Sequence, residues 1–301
     1  MIEVVRDSPA RVSKANASVS NHLGVLYVVA TPIGNLDDIT QRAVRVLAES
    51  DLIAAEDTRH SKKLLQRFKV TTRTIAFHEH NESKKMPQLL RLLHAGKCIA
   101  LVSDAGTPLV SDPGFKLVRA AHAQGIRVIP VPGPCAAVAA LSAAGLPTDR
   151  FVFEGFPPAR AGARTAFFQQ RQYETATLVY YEAPHRLRAS LNAMASMFGS
   201  ARPAAIAREL TKKFEIIVSA SLRDLCEKVA IDRETYSRGE YVILIEGIRD
   251  SATEKFTVDS EYILRILLHE LSTKQAAALT AAITKGKRRD LYSLALRLQQ
   301  D

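Results

Sequence analysis

The sequence of 301 residues lacks the features of several specialised classes of protein. It has only three cysteines, which are scattered and share no metal-ligand spacing, so a disulfide-stabilised fold and a zinc module are both disfavoured. Residues 135–141 form one of its longest apolar runs, far below the roughly 18–20 residues that cross a bilayer. The first residues lack the basic start and the following apolar segment that are typical of a secretory signal. These absences predict a cytoplasmic protein that does not enter a membrane.

Two glycine-rich phosphate-binding motifs are also missing. Neither G-x-G-x-x-G nor G-x-x-x-x-G-K-[ST] occurs, which disfavours a dinucleotide site and a P-loop and favours a phosphate-poor cofactor. What the sequence has in excess is positive charge. Its 41 Lys and Arg residues against 31 Asp and Glu residues give a formal net charge of +10. This excess favours a polyanionic partner such as nucleic acid, although it also suits a protein whose charge serves only solubility.

The apolar pattern divides the chain into four parts. Residues 1–23 show no sustained period and are interpreted as a mobile extension. Residues 24–146 alternate apolar strands with amphipathic helices, which predicts an α/β domain with a mainly parallel sheet. In residues 147–248 two strands near residue 210 are too close for an intervening helix, so a second α/β domain with a mixed sheet is predicted. Residues 249–301 show three short helical patterns, which predict a helical module for RNA binding or dimer contacts.

Three loops of the first predicted domain combine glycine and proline at the carboxyl ends of strands. They are residues 31–36, 103–114 and 132–137. Ligands of open α/β sheets bind beyond these strand ends, so three such loops at one edge favour a site over simple tight turns. Asp104 offers a carboxylate to a hydroxyl or ammonium group. The N–H groups of Ala136 and Ala137 are expected to be open to a carboxylate.

A polar cluster follows the strand predicted at Leu52–Ala55 on the same edge. Glu56 and Asp57 are candidate proton acceptors, and Arg59 could stabilise developing negative charge or hold a phosphate. A helix cap or an ion pair with Arg59 is the alternative interpretation of Asp57. Arg186, which follows a strand of the second predicted domain, is a further candidate for holding phosphate at the active site.

Several basic residues are predicted to contact RNA through salt-sensitive phosphate contacts. One group lies on a helix predicted at residues 62–68 with Ser61 as its cap, another could complete the cleft, and a third forms the turn between the last two helices, as in helix-turn-helix-like modules. In that order the residues are Lys62, Lys63, Arg67, Arg208, Lys212, Lys285, Lys287, Arg288 and Arg289. A solvated helix face, a surface ion pair of Arg208 with Glu209 and a dimer contact are the respective alternatives.

Several segments together resemble the tetrapyrrole methylase superfamily, the class III S-adenosylmethionine-dependent methyltransferases. They include VVATPIGNLDDIT (28–40), SDAGTP (103–108), PGPCAA (132–137) and YYEAPHRL (180–187), within a resemblance that spans residues 25–248. Within that superfamily, the chain is most similar to the bacterial enzymes that methylate a cytidine ribose of small-subunit ribosomal RNA. Ser103 and Ala105 replace the glycine and proline of the tetrapyrrole enzymes, which argues against a porphyrin-like acceptor.

The resemblance implies that S-adenosylmethionine binds in a cleft between the two domains and that no metal takes part. It implies that Asp104, Ala105 and Gly106 hold the methionine part of the cofactor. The remaining implied cofactor contacts are Pro32, Pro134, Cys135, Ala136, Tyr181, Glu182 and Tyr241.

The resemblance and the basic charge predict methylation of the 2′-hydroxyl of a cytidine in 16S ribosomal RNA. The expected partner is ribosomal RNA in a partly assembled small subunit, and the expected oligomer is a homodimer. Two alternatives remain. One is a methyltransferase of a tetrapyrrole or another small acceptor, and the other is a non-catalytic ribosome-assembly factor with the same fold.

Overall fold

The computed structural model describes residues 23–248, 258–284 and 286–299. Within these ranges the chain forms two five-stranded sheets and a set of three C-terminal helices. Most of the predicted N-terminal extension, and Lys285 of the predicted basic turn, lie outside the described residues. No helix in the described part is both long and apolar enough to cross a membrane.

Five parallel strands form the first sheet. They are β1 (Val25–Val29), β2 (Leu52–Ala55), β3 (Thr74–Ala76), β4 (Ile99–Val102) and β5 (Arg127–Val131). The connecting helices are α1 (Gln41–Glu49), α2 (Thr58–Arg67), α3 (Glu82–His94) and α4 (Phe115–Ala123). The strand order is β3-β2-β4-β1-β5, and an apolar cluster lies on each face, as a parallel sheet covered by helices requires.

The second sheet is mixed, as predicted. Its strands are β6 (Phe151–Gly155), β7 (Thr177–Glu182), β8 (Pro203–Arg208), β9 (Ile216–Ser221) and β10 (Tyr241–Ile245). The helices are α5 (Ala136–Ala143), which precedes the sheet, α6 (Ala161–Gln169), α7 (Leu187–Phe198), α8 (Leu222–Ile231) and the short α9 (Arg233–Tyr236). The order is β6-β7-β10-β8-β9, in which only β6 and β7 pair in parallel.

Helix α5 holds the two halves of the chain together. Its apolar residues Ala137, Ala140 and Leu141 are buried against Val242 and Leu244 of β10. Because apolar surface of both halves is removed from water at this contact, separating them is unfavourable. Helix α5, which follows the last strand of the first sheet, therefore belongs to the apolar core of the second sheet.

Three helices, α10 (Val258–Glu270), α11 (Thr273–Thr284) and α12 (Arg288–Leu298), pack around a small core of their own. Its buried members are Leu264, Ala276, Leu294 and Ala295. Lys287 precedes α12, and Arg288 and Arg289 form its first turn; all three are exposed. The basic residues described in this segment therefore begin a helix rather than forming a separate turn.

Candidate active site

The loops after β1, β4 and β5 meet at the carboxyl edge of the first sheet, because these strands are neighbours in a parallel arrangement. Thr31 and Gly106 exchange two backbone hydrogen bonds of 2.9 and 3.0 Å, which join the first two loops. The Thr107 hydroxyl donates to the Pro134 carbonyl at 3.0 Å and joins the third. The three glycine- and proline-containing loops are thus brought together, as the sequence predicts.

Glu56 and Asp104 are fixed by hydrogen bonds that cross between β2 and β4. The Asp57 N–H donates to Asp104 Oδ1 at 2.9 Å, and the Asp104 N–H donates to Glu56 Oε2 at 3.3 Å. Burial raises the pKa of Glu56 above its ordinary value, and the neighbouring Asp104 carboxylate contributes. A carboxylate with a raised pKa is a better proton acceptor than an exposed one.

These two carboxylates line a cleft of about 420 Å³ between the halves of the chain. Eight of the ten predicted cofactor contacts lie in its wall: Asp104, Ala105, Gly106, Cys135, Ala136, Tyr181, Glu182 and Tyr241. The other two, Pro32 and Pro134, do not belong to the cleft wall; Pro32 is buried, and the Pro134 carbonyl accepts from Thr107. The sequence therefore predicts many of the residues that line the cleft, but not its full extent.

One amide expected to be open is already bonded. The Ala137 N–H, in the first turn of α5, donates to the Tyr181 hydroxyl at 3.3 Å. The expectation that it receives a carboxylate is wrong for this conformation, because the donor is occupied. Tyr181 is itself packed edge-to-face against Phe153 and Phe156, with ring centroids 4.9 and 5.6 Å away. Tyr181 and Phe156 belong to the part of the cleft wall that the second half of the chain contributes.

Asp112 lines the cleft but is not among the site residues predicted from the sequence. Burial raises its pKa to about 6, against the opposing hydrogen bond from Ser103, and the carboxylates of Glu56 and Asp104 raise it further. The preceding residue, Ser111, has a φ of 66°, a left-handed conformation that is rare outside glycine. The only available signal was a repeated Ser-Asp pair, at residues 103–104 and 111–112.

The raised pKa of Asp112 predicts a pH-dependent effect of Asp112→Asn on stability. Burial favours the protonated form of Asp112 in the folded state. The stability that this residue contributes is therefore fully present below its pKa in the unfolded chain and is lost as pH rises through about 6. At pH 8 the variant, which carries no buried charge, should melt about 2–4 °C higher than wild type. Below pH 4 the two melting temperatures should converge. Calorimetry across this range is the measurement, and a difference independent of pH contradicts the assignment.

Asp57 and Arg59 form a helix cap and an ion pair. Helix α2 begins at Thr58 and not after Ser61, because the Asp57 carboxylate accepts the Arg59 N–H at 2.8 Å. Arg59 Nη2 also lies 2.7 Å from Asp57 Oδ2, and its hydrogen bonds lower the pKa of Asp57 to about 2. Neither residue belongs to the cleft wall. In the structure Asp57 therefore caps a helix and pairs with Arg59, which is the alternative to a role as proton acceptor.

Arg186 is built into the framework of the second half. Its Nε lies 3.0 Å from the fully buried carboxylate of Glu182, and its Nη1 donates to the Pro157 carbonyl at 3.4 Å. Ser190 also donates to Glu182. The predicted role of Arg186 in holding phosphate is not supported by this placement, because the guanidinium is ion-paired with Glu182 and donates to Pro157 beside the cleft.

Arg208 and Lys212 are likewise bonded to acceptors of the protein, which does not support their predicted role in RNA contact. Arg208 is buried and donates to the carbonyls of Arg238 and Phe214 at 3.1 and 3.2 Å. The Lys212 ammonium donates to Glu209 and Glu240 at 2.9 and 2.8 Å. Each cation therefore stabilises the loop that borders the cleft.

The other described basic residues predicted to contact RNA are all exposed. Lys62, Lys63 and Arg67 lie on the outer face of α2, whose buried face is formed by Ser61, Leu64 and Leu65. The helix that carries this face starts two residues after Glu56, which lines the cleft.

Comparison with known proteins agrees with this architecture. The family model described as tetrapyrrole (corrin/porphyrin) methylases matches residues 25–226, and the model of the RsmI C-terminal HTH domain matches residues 255–299. Ribosomal RNA small subunit methyltransferase I of Pseudomonas aeruginosa is 53% identical over 92% of this chain and 98% of its own length. The protein of the same name from Escherichia coli O157:H7 is 49% identical over 95% of this chain and 99% of its own.

A solved structure of uroporphyrin-III C-methyl transferase from Thermus thermophilus, complexed with S-adenosyl homocysteine, has the same fold. It superimposes with a TM-score of 0.51 at 20% identity, over 73% of this chain and 97% of that chain. The parallel first sheet, the mixed second sheet and the family match over residues 25–226 lead to one conclusion. The chain belongs to the tetrapyrrole methylase family.

Proposed function

We propose that this chain is an S-adenosylmethionine-dependent methyltransferase that methylates the 2′-hydroxyl of a cytidine ribose in the 16S RNA of the small ribosomal subunit. The observation that carries the proposal is a carboxylate-lined cleft in a chain about half identical to proteins named ribosomal RNA small subunit methyltransferase I. The exposed basic residues of α2 and α12 favour RNA over a tetrapyrrole acceptor, because a small acceptor needs no such surface.

The charge of the cleft suits this cofactor. Five acidic residues belong to its wall, and none of the described residues that line it is Lys or Arg. The cofactor carries an ammonium and a sulfonium against one carboxylate, and its net positive charge would offset part of this negative excess. Asp104 would accept hydrogen bonds from the ammonium, and the apolar side chains of Ile33, Leu210 and Val242 would border the flat adenosine part.

The chemistry then depends on a proton acceptor close to the ribose. The bound cofactor supplies an electrophilic methyl group on sulfur. Glu56 would accept the ribose proton as the new oxygen–carbon bond forms, since its pKa is raised by burial and its carboxylate lies in the cleft wall. Asp104, tied to the Asp57 N–H, would keep the cofactor in position for an in-line displacement.

The exposed face of α2 should supply part of the RNA affinity. Replacing Lys62, Lys63 and Arg67 together by Gln should weaken binding of 16S RNA and make the slope of log affinity against log salt shallower by up to about two units. Filter binding over a salt series measures both quantities. The control removes three exposed basic residues of the second half, Arg223, Lys228 and Arg233, with the same loss of charge. Equal effects in the two triple variants contradict a specific RNA face.

Methyl mapping tests the function itself. The protein is incubated with small ribosomal subunits and cofactor labelled on the methyl group, and the label is located by nuclease digestion and mass spectrometry. Label on a cytidine ribose is the expected result. Label on a base, transfer to a tetrapyrrole instead, or no transfer despite cofactor binding each contradicts the proposal.

We also propose a cytoplasmic homodimer, in keeping with a substrate assembled in the cytoplasm. Phe115 on α4 and Val138 on α5 are large apolar side chains that stand exposed in a single chain, and a partner copy would cover such surface. Sedimentation equilibrium should give twice the mass of one chain, and a single-chain mass at micromolar concentration contradicts the dimer.

A further inference from the structure

An exposed aromatic ring stands in the wall of the cleft. Phe156 follows β6 and lines the cleft, yet 53% of its surface is accessible. Only part of the ring is covered, by an edge-to-face contact with Tyr181. A large apolar surface left open beside charged groups indicates a place where a binding partner completes the packing.

The loop that carries Phe156 is held in place by two arginines. The Pro157 carbonyl accepts from Arg186 Nη1 at 3.4 Å, and the Ala159 carbonyl accepts from Arg164 Nη1 at 3.1 Å. Just before Phe156, Gly155 has a φ of 66° and the pairing of β6 with β7 shifts register. These features aim the ring before any ligand arrives, so little conformational entropy is lost when a ligand packs on it.

The carboxylates that line the cleft restrict the kind of ligand that can pack on the ring. Glu56, Asp104 and Asp112 line the same cleft, where no Lys or Arg lies among the described wall residues. A phosphate group would be repelled from such a surface, whereas an uncharged, flat ring would not. An aromatic side chain offers a nucleobase a stacking surface independent of sequence.

We propose that Phe156 is the stacking surface for an unpaired nucleobase of the RNA substrate. The base leaves the RNA stack and packs on the open part of the ring, while its phosphates stay outside the acidic cleft near the basic face of α2. This inference rests on the proposed function, since it gives the substrate of the same cleft a defined contact.

The test compares Phe156→Ala and Phe156→Trp with a matched control. Phe156→Ala should weaken binding of a 16S RNA fragment about 5- to 100-fold, and Phe156→Trp should retain wild-type affinity because tryptophan preserves the stacking surface. Cofactor affinity, measured by calorimetry, should stay within about twofold for both variants. The control is Phe151→Ala, because Phe151 begins β6, the strand that Phe156 follows, and is 46% exposed but does not belong to the cleft wall.

Two results overturn the inference. One is a weaker cofactor affinity in Phe156→Ala, which would assign the ring to the adenosine. The other is an RNA affinity equal to that of the Phe151→Ala control. RNA binding is measured separately from methylation, so a wild-type protein that methylates no subunit defeats the proposed function without deciding this test. A wild-type protein that methylates normally but binds RNA without help from Phe156 defeats only this inference.

Discussion

Glu56→Gln is expected to lower the rate of methyl transfer by about 10²- to 10⁴-fold, the usual contribution of a positioned base. Glutamine has nearly the same shape and can still accept the Asp104 N–H, which lies 3.3 Å from the carboxylate. What it cannot do is take up the ribose proton. Cofactor affinity should therefore change little, and single-turnover kinetics at saturating cofactor should isolate the loss in the chemical step.

Asp57→Asn separates this assignment from the competing one. Asp57 is the neighbouring carboxylate, but Arg59 holds its pKa at about 2 and its side chain caps α2, so its removal should lower the rate less than tenfold. A small effect in Glu56→Gln together with a large one in Asp57→Asn would reverse the assignment and restore Asp57 as the base.

Asp104→Asn is expected to weaken binding of S-adenosylmethionine about 10- to 100-fold, as the loss of a hydrogen bond to a charged group predicts. The amide oxygen of asparagine can still accept the Asp57 N–H, which lies 2.9 Å from the wild-type carboxylate. The loop should therefore keep its conformation and lose only the charge. S-adenosylhomocysteine should lose affinity to a similar degree, because it carries the same ammonium group without the sulfonium.

Asp38→Asn is the matched control for this measurement. Asp38 is an exposed carboxylate near the loop after β1, and it is absent from the cleft wall. Calorimetry should give wild-type affinity for this control. Unchanged affinity in Asp104→Asn would remove Asp104 from the cofactor site, while equal losses in both variants would point to a general effect of charge.

The fold was predictable where burial requires an apolar residue at every position of a strand. The strands Leu52–Ala55 and Ile99–Val102 are apolar at every position because both faces of the parallel sheet are covered, and their bounds follow directly. The start of α2 did not follow, since Thr58, Arg59 and His60 are polar and resemble a loop. A cap depends on one hydrogen bond, that of the Asp57 carboxylate, and not on a repeating pattern.

The site was predictable where a residue directly follows a strand. Asp104 comes two residues after β4, so its position at the ligand-binding edge follows from the sheet alone. Asp112 and Phe156 reach the same cleft through left-handed residues and a register shift, which no periodicity records. The buried bonds of Arg208 depend on carbonyls of Arg238 and Phe214, so its internal role could not be told from a surface ion pair.

The packing of α5 on the second sheet has a consequence for synthesis on the ribosome. The first sheet has all its strands once β5 has emerged, but the apolar face of α5 is covered by β7 and β10, and β10 follows about 100 residues later. At about 5–20 residues per second, that face stays incompletely covered for roughly 5–20 s on every nascent chain. A fragment that ends at residue 146 would keep it open permanently and should aggregate, so the first half of the chain needs the second to be soluble.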